Sequence, residues 1–213
     1  MPEIYQDVLI RGKVVKQGVR KCSDRLRVLK EVVRILPFGF KVLDVGASQG
    51  YFSFHMAEQF GARCTMIEDG YTTTQHVWQT AEYLKYLCEQ NSHLKNLTLL
   101  KMRMFADDLR KLRELEYFDL VCAFSVIHHM RRSEHESFSS FLEIIDALIN
   151  LAPLAIIENP INTGDHTQFI REALQERDGK VINTSNRGNT VYEIYLFNTR
   201  CSRKEKETLS NIS

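Results

Sequence analysis

The sequence lacks the features of a secreted or membrane-spanning chain. No apolar run in its 213 residues approaches the roughly 20 residues needed to cross a bilayer. The opening stretch MPEIYQDVLIRG carries acids early and has no apolar signal-peptide core. Neither sign of charge is in excess, since 28 lysines and arginines stand against 27 aspartates and glutamates. This balance gives no general case for binding nucleic acid or membranes and leaves room only for a local basic patch.

A cysteine framework is absent as well. The five cysteines are odd in number, widely spaced and set mostly among apolar residues (Cys22, Cys64, Cys88, Cys122 and Cys201). We interpret them as reduced thiols, not as disulfides or metal ligands, and we expect a cytoplasmic protein. What the chain does have is 44% hydrophobic residues, enough for one α/β domain with a well-buried core.

The stretch KVLDVGASQGYFS at 41–53 has the order of a strand, a tight turn and a helix. A short apolar run leads to Asp44, and then come Gly46, Gly50 and an amphipathic segment. Gly46 lets the backbone turn sharply and approach a ligand that a Cβ would obstruct. Gly50 is expected to let the first helical turn lie close to the strand.

The same turn departs from a dinucleotide-binding motif at two positions. Ser48 stands where the middle glycine would lie, and Asp44 places a carboxylate where a pyrophosphate would be repelled. An amino group would be attracted there. These features favour a ligand that is cationic on one side and carboxylate-bearing on the other, as S-adenosylmethionine (SAM) is. A nicotinamide-dependent dehydrogenase is the less favoured alternative.

The stretch VLDVGASQGYFS resembles motif I of the class I SAM-dependent methyltransferases, in the variant D-x-G-A-x-x-G-Y-F-S. The resemblance continues through Glu68, FDLVCAFSVIHHM at 118–130 and LAIIENP at 154–160. It implies a single α/β domain built on a doubly wound, Rossmann-like, seven-stranded and mostly parallel sheet with an antiparallel last strand. We expect this domain at 40–199, an N-terminal extension at 1–39 that closes over the substrate as a lid, and a polar, disordered tail at 200–213.

The resemblance also implies how a cofactor is held. Asp44 would lie near the methionine end of SAM, enclosed by the backbone amides of the turn. Glu68, or else Asp69, would accept hydrogen bonds from the ribose hydroxyls. Asp107 would accept a hydrogen bond from the adenine amine, or would instead cap the following helix. The expected cofactor contacts are Asp44, Gly46, Ala47, Ser48, Gly50, Tyr51, Glu68, Asp107 and Ser125.

Catalytic residues are expected where the fourth and fifth strands end. His128 and His129 follow a continuous apolar strand, and ligands bind at the carboxyl ends of such strands. One imidazole would take a proton from the acceptor, or the pair would only pack against the cofactor. Glu158, after the fifth strand, is the second candidate base.

A metal ion is a third interpretation of the histidine pair, with His135 and Glu158 as further ligands. RNA 3′-terminal methyltransferases use a metal cluster that includes glutamates just before the histidine. This chain has Ser125 and Val126 there, so no metal is expected.

Local patterns predict the remaining elements. Residues 4–20 alternate as two short strands that turn at Arg11 and Gly12. Ser23 or Asp24 is expected to cap a helix that runs to Leu36. Helices are also expected at 51–60, 72–90, 109–115, 136–151 and 165–177, strands at 63–67, 97–102, 118–125 and 154–157, and a closing hairpin at 180–184 and 191–197.

These observations favour methyl transfer to a hydroxyl of a small-molecule or carbohydrate acceptor. We expect no second domain, and the sequence shows no long basic stripe and no aromatic-rich strand face. Relatives with this motif variant include O-methyltransferases of carbohydrates and natural products. An RNA or protein acceptor is the alternative. It is supported only by the basic front section, where nine lysines and arginines stand against four acids in residues 1–36. A non-catalytic SAM-binding or scaffold subunit is the hypothesis from another class.

Overall fold

The structure, a computed structural model, describes residues 4–20, 22–69, 81–130, 138–161 and 163–199. The chain falls into two compact units, Met1–Met104 and Phe105–Ser213, called here the first and second units. Within the described ranges, no helix is both long and apolar enough to cross a bilayer.

The first unit opens with an antiparallel hairpin of β1 (Val8–Ile10) and β2 (Lys13–Lys16). Arg11 and Gly12 take left-handed φ values of 49° and 73° at its turn, where the sequence predicts it. The elements that follow are α1 (Ser23–Val33), β3 (Lys41–Val45), α2 (Tyr51–Phe60), β4 (Arg63–Glu68), α3 (Ala81–Gln90) and β5 (Leu97–Lys101). Strand β4 pairs in parallel with both β3 and β5, so the carboxyl ends of all three strands lie at one edge.

The second unit holds α4 (Ala106–Leu115), β6 (Leu120–Phe124), a 3₁₀ turn (Ile127–His129), α5 (Phe138–Ile149), β7 (Leu154–Pro160), α6 (Asp165–Glu176), β8 (Lys180–Arg187) and β9 (Thr190–Asn198). Strands β6 and β7 are parallel and buried along their whole length, as expected for strands covered on both faces. Strand β9 runs antiparallel to both β7 and β8.

The seven longer strands form one sheet in the order β5-β4-β3-β6-β7-β9-β8. The last strand in sequence is the antiparallel one. This arrangement confirms the predicted fold class, a mostly parallel α/β sheet of the methyltransferase type.

Several predicted helix ends are wrong. Helix α1 stops at Val33, and Cys22 occupies its N-cap position with no side-chain cap, so neither predicted capping residue caps it. Helix α4 begins at Ala106, and the side chain of Asp108, not Asp107, accepts the N–H of the N-cap residue Phe105 at 3.0 Å. The capping role considered for Asp107 is therefore wrong.

Some predictions fall outside the described residues. These are the starts of the helices expected at 72–90 and 136–151, residue His135 as a metal ligand, and the tail at 200–213.

Candidate functional site

The turn after β3 is built from left-handed backbone. Gly46, Ser48 and Gly50 have φ values of 72°, 55° and 71°. The N–H groups of Gly46 and Ala47 donate to the carbonyl of Ile67 at 2.9 and 3.1 Å, which ties the turn to β4. Glycine avoids the steric cost of this conformation, which explains two of the three positions.

Gly50 is required for space as well as for conformation. A Cβ there would lie 2.8 Å from Cδ1 of Leu84 in α3 and 3.0 Å from the ring of Phe54 in α2. The close neighbours are therefore helical side chains and not the strand that the sequence suggested. Any larger residue at Gly50 would have to push these side chains aside and adopt a left-handed φ of 71°.

Ser48 is the non-glycine residue of the turn that carries strain. Its left-handed conformation costs an ordinary residue about 1–2 kcal/mol. Its N–H donates to Oε2 of Glu68 at 2.5 Å, and its hydroxyl donates to Oε1 of Gln49 at 2.9 Å. These two bonds hold the turn in the strained form and aim the Ser48 amide at the end of β4.

Asp44 lies beneath this turn with 2% of its surface exposed. Its Oδ2 accepts a hydrogen bond from the hydroxyl of Ser53 at 2.7 Å. Burial raises the pKa of Asp44 to about 6, and the hydrogen bond from Ser53 offsets only part of the rise. The carboxylate is thus costly to ionise until a cationic group comes near.

Glu68 ends β4 and is largely buried. Burial raises the pKa of Glu68 to about 7, and the negative charges of Asp69 and Asp44 add to that rise. The Ser48 N–H works in the opposite direction. In the part of the chain that the structure describes, no lysine or arginine pairs with Asp44 or Glu68.

Two glutamines that the sequence analysis missed brace the turn. Gln6 and Gln49 are 3% and 0% exposed. The Gln6 N–H donates to Oε1 of Gln49 at 2.7 Å, and Oε1 of Gln6 accepts the N–H of Tyr51 at 3.3 Å. The second bond satisfies one of the unpaired N–H groups at the start of α2. No local sequence signal could have found this pair, because its members lie 43 residues apart.

In the second unit, Ser125 and Glu158 meet where β6 and β7 end. Ser125 is left-handed, with φ 54°, and its hydroxyl donates to Oε2 of Glu158 at 2.5 Å. Glu158 is 1% exposed, and its Oε1 accepts a hydrogen bond from Nη2 of Arg187 at the end of β8. Both oxygens of Glu158 are therefore engaged. Arg187 was predicted to lie in the turn of the closing hairpin and was not among the predicted site residues, whereas the structure places it at the end of β8.

The predicted histidines lie in the 3₁₀ turn after β6. His129 is exposed and His128 is half-buried, and their ring centroids are 3.9 Å apart. His166 of α6, which the sequence analysis missed, has its ring centroid 5.9 Å from that of His128. Within the described residues, no group of three or more His, Cys, Asp or Glu side chains could hold a metal ion.

Asp107 lies in the first turn of α4. Its side chain is half exposed, and its Oδ1 accepts a hydrogen bond from Nη1 of Arg110 at 2.7 Å. The structure therefore places Asp107 on a solvated helix surface, whereas Asp44, Glu68 and Glu158 are buried or nearly so.

Neither a protein-family model nor a curated protein matches the sequence. Solved structures do match the fold. The N-terminal domain of EvdMO1 with SAH bound is 12% identical with a TM-score of 0.60, covering 92% of this chain and 91% of that one. The same domain in the presence of SAH and D-fucose is 13% identical, with the same TM-score and coverage. Precorrin-6y C5,15-methyltransferase from Geobacter metallireducens GS-15 is 16% identical with a TM-score of 0.52, covering 91% and 93%. At these identities the likeness establishes the fold.

Proposed function

We propose that this chain is a SAM-dependent methyltransferase of the cytoplasm that transfers a methyl group to a hydroxyl of a small-molecule or carbohydrate acceptor. The observation that carries the proposal is the left-handed turn at 46–50 set between Asp44 and Glu68, two carboxylates with no basic partner among the described residues. Such a turn suits a ligand that brings its own cationic and hydroxyl groups.

Asp44 would hold the amino group of the methionine end, since a nearby cation favours the ionised form of a buried carboxylate. Glu68 would accept the two ribose hydroxyls. A carboxylate has about four acceptor sites, so the bond from Ser48 leaves capacity for a diol. Backbone groups of Gly46, Ala47, Ser48, Gly50 and Tyr51 would enclose the ligand between these carboxylates. Asp107 and Ser125 remain the proposed contacts of the adenine end.

The structural neighbours support the choice of ligand and acceptor. The EvdMO1 domain is described with SAH bound, and again in the presence of SAH and D-fucose. Those are properties of EvdMO1. Because the fold is shared over nearly the whole of both chains, they favour a SAM-type cofactor and a sugar-like acceptor here.

The sulfonium of SAM, when bound, supplies an already activated methyl group. The protein's part is then to align the acceptor and to remove its proton. We assign proton removal to His128 or His129, because an imidazole is the side chain best suited to accept a proton near neutral pH. Glu158 is the weaker base, because its oxygens already accept hydrogen bonds from Ser125 and Arg187.

An RNA or protein acceptor is the second candidate function. All four residues of β2 are exposed, which leaves Lys13 and Lys16 at the surface of the N-terminal hairpin. This front section would serve as a lid over a small acceptor or as a basic contact for RNA. Retention on RNA that falls steeply with salt would favour the second role.

Calorimetry with SAM and with SAH tests the cofactor. We expect binding by the wild type and a loss of at least about tenfold in Asp44→Asn, since one buried ion pair of this kind is worth about 1.4 kcal/mol or more. Glu143→Gln is the matched control, because it removes a carboxylate from a side chain that is 66% exposed. No binding by the wild type would leave a scaffold subunit as the better assignment.

Transfer of a radiolabelled methyl group to fractionated small molecules and to RNA then identifies the acceptor. Label in a carbohydrate or hydroxylated small-molecule fraction supports the proposal. Label in RNA or protein alone would replace its acceptor while keeping its cofactor.

A further inference from the structure

One face of the sheet in the second unit carries a row of polar side chains. The strand register places Glu158 of β7 opposite Ile194 of β9, and Asn183 of β8 opposite the same Ile194. Because side chains alternate along strands, Ser185 and Arg187 lie on this face too. Helix α6 packs on the other face, where its Arg171 binds Glu193.

Arg187 is only partly satisfied on this face. Its side chain is 8% exposed, and its guanidinium stacks 4.2 Å from the ring centroid of Tyr192. Its Nη2 donates to Oε1 of Glu158 and, at 3.3 Å, to the hydroxyl of Ser185. Its Nε and Nη1 are buried and have no hydrogen-bond partner among the described residues.

The arginine on the opposite face shows what full pairing looks like. Nε and Nη2 of Arg171 donate to the two carboxylate oxygens of Glu193 at 3.1 and 3.0 Å. Arg171 is also the more exposed of the two, with 36% of its side-chain surface open against 8% for Arg187. The more deeply buried arginine is therefore the one that keeps unpaired N–H groups. Buried donors without partners are rare in folded proteins and point to a missing acceptor.

Among the described residues, the unpaired buried side-chain groups on this face are all hydrogen-bond donors. They are Nδ2 of Asn183 and the two nitrogens of Arg187. A site whose unpaired groups are all donors suits a ligand group that offers only acceptor oxygens. Carboxylates and phosphates are such groups, and a guanidinium binds them in preference to neutral oxygens.

We propose that Arg187 is the anion-binding residue of a subsite for a carboxylate or phosphate group. The charge of Glu158 opposes an anion, but that charge is already paired with Nη2, which leaves Nε and Nη1 for the ligand. Both nitrogens are closed to water, and a ligand would reach them only through a shift of the side chain. Arg187 adjoins Gly188, which is exposed and has no heavy atom within 4 Å of its Cβ direction.

Anion binding itself does not depend on methyl transfer. That the anion belongs to the methyl acceptor rests on the function proposed above. The inference narrows the acceptor to a hydroxylated molecule that also carries an acid group, such as a sugar acid or a sugar phosphate.

Nuclear magnetic resonance of the arginine Nε–H groups tests the subsite directly. Sodium acetate and sodium phosphate are titrated into the ¹⁵N-labelled full chain at constant ionic strength, with sodium chloride as the reference salt. We expect a saturable shift of the Arg187 signal with acetate or phosphate and none with chloride. The anion that acts separates a carboxylate from a phosphate ligand.

Two variants make the result specific. Arg187→Lys keeps a positive charge beside Glu158 but lacks the two unpaired nitrogens, and it should weaken anion binding at least about tenfold, as the loss of a charge-assisted hydrogen bond predicts. If that variant does not fold, the double variant Glu158→Gln/Arg187→Met removes the buried charges together and should also fail to bind. Arg171→Lys, on the other face, should bind as the wild type does.

No saturable shift with either anion, or an unchanged shift when Arg187 is replaced, would overturn the subsite. SAH calorimetry on the same sample separates this result from the proposed function. SAH binding without an anion response removes the subsite and leaves the methyltransferase. An anion response without SAH binding supports the subsite and removes the methyltransferase.

Discussion

In the first unit the buried carboxylates of Asp44 and Glu68 are held by a hydroxyl and by backbone N–H groups, whereas in the second unit those of Glu158 and Glu193 are paired with arginines. Burial raises the pKa of Asp44 to about 6 and that of Glu68 to about 7. The carboxylates of the second unit are thus neutralised by arginines of the protein itself. Those of the first unit have no basic partner among the described residues. Carboxyl groups with raised pKa values of this kind cluster at functional sites.

The largest expected effect comes from breaking the internal pair of the second unit. Arg187→Met should lower the free energy of unfolding by about 3–5 kcal/mol, because it leaves Glu158 buried and unpaired with 0% of its side chain exposed. The double variant Glu158→Gln/Arg187→Met should recover most of that loss. Urea denaturation of the wild type, both single variants and the double variant measures it.

Arg110→Met is the control for this cycle. Arg110 is half exposed and pairs with Asp107 on the surface, so its loss should cost less than about 1 kcal/mol. Equal losses for Arg187→Met and Arg110→Met would mean that the buried pair is not structural.

The next largest effect concerns Asp44 in the first unit, where one substitution should raise stability and lower affinity for SAH. Asp44→Asn should raise the free energy of unfolding at pH 8 by up to about 3 kcal/mol, because folding raises the pKa of Asp44 from 3.8 to about 6 and each pKa unit disfavours the ionised form by about 1.36 kcal/mol. Asparagine still accepts the hydrogen bond from Ser53. The same change should weaken SAH binding at least about tenfold, by the loss of an ionic partner.

Denaturation and calorimetry at pH 8 check both halves of this prediction. A variant that loses stability as well as affinity would show that Asp44 supports the fold, and the contrast between the two units would fail. Ser53→Ala is a useful companion, since it removes the hydrogen bond and keeps the charge.

Sequence reasoning succeeded where one local pattern decides the structure. Helix α2 spans Tyr51–Phe60 as predicted, because Gly50 and Gly61, both left-handed, bound it. The hairpin turn at Arg11 and Gly12 was predicted for a similar reason, since it sits between two alternating segments. Glycines that bound a helix or form a turn can be recognised from the sequence alone.

Prediction from the sequence failed where contacts between residues distant in the chain decide the structure. The pairing of Arg187 with Glu158 requires the register of three strands, and the Gln6–Gln49 contact joins residues 43 positions apart. The capping role considered for Asp107 was wrong for a different reason. Two adjacent acids lie in the first turn of α4, and only the backbone shows that Asp108 is the one that reaches the Phe105 N–H.

A smaller effect concerns pH, and it separates ligand binding from stability. Because the pKa values of Asp44 and Glu68 are raised, the folded protein without ligand binds more protons than the unfolded chain between about pH 4 and pH 7. Its stability should therefore fall as pH rises through this window. Affinity for SAH should rise through pH 6–7, since the ligand needs ionised carboxylates.

Thermal unfolding and SAH titration over pH 4.5–8 follow the two trends. The difference between wild type and Asp44→Asn isolates the contribution of Asp44 from that of ordinary surface carboxylates. We expect the affinity to drop about tenfold per pH unit between about pH 7 and pH 6, where Glu68 protonates, and up to about hundredfold per unit below pH 6, where Asp44 protonates as well. Affinity independent of pH would mean that neither carboxylate binds the ligand.

The smallest effect sharpens the comparison by testing an exposed carboxylate. Asp107 is 52% exposed and already faces Arg110, so Asp107→Ala should change stability by less than about 0.5 kcal/mol. If Asp107 accepts the adenine amine hydrogen, the variant should bind SAH about fivefold more weakly, because one hydrogen bond is worth about 1 kcal/mol.

S-inosylhomocysteine, which has a carbonyl in place of that amine, supplies the control. The wild type should prefer SAH over it, and Asp107→Ala should lose that preference. An equal loss for both ligands would place the adenine contact on another residue, because only a bond to the amine distinguishes them.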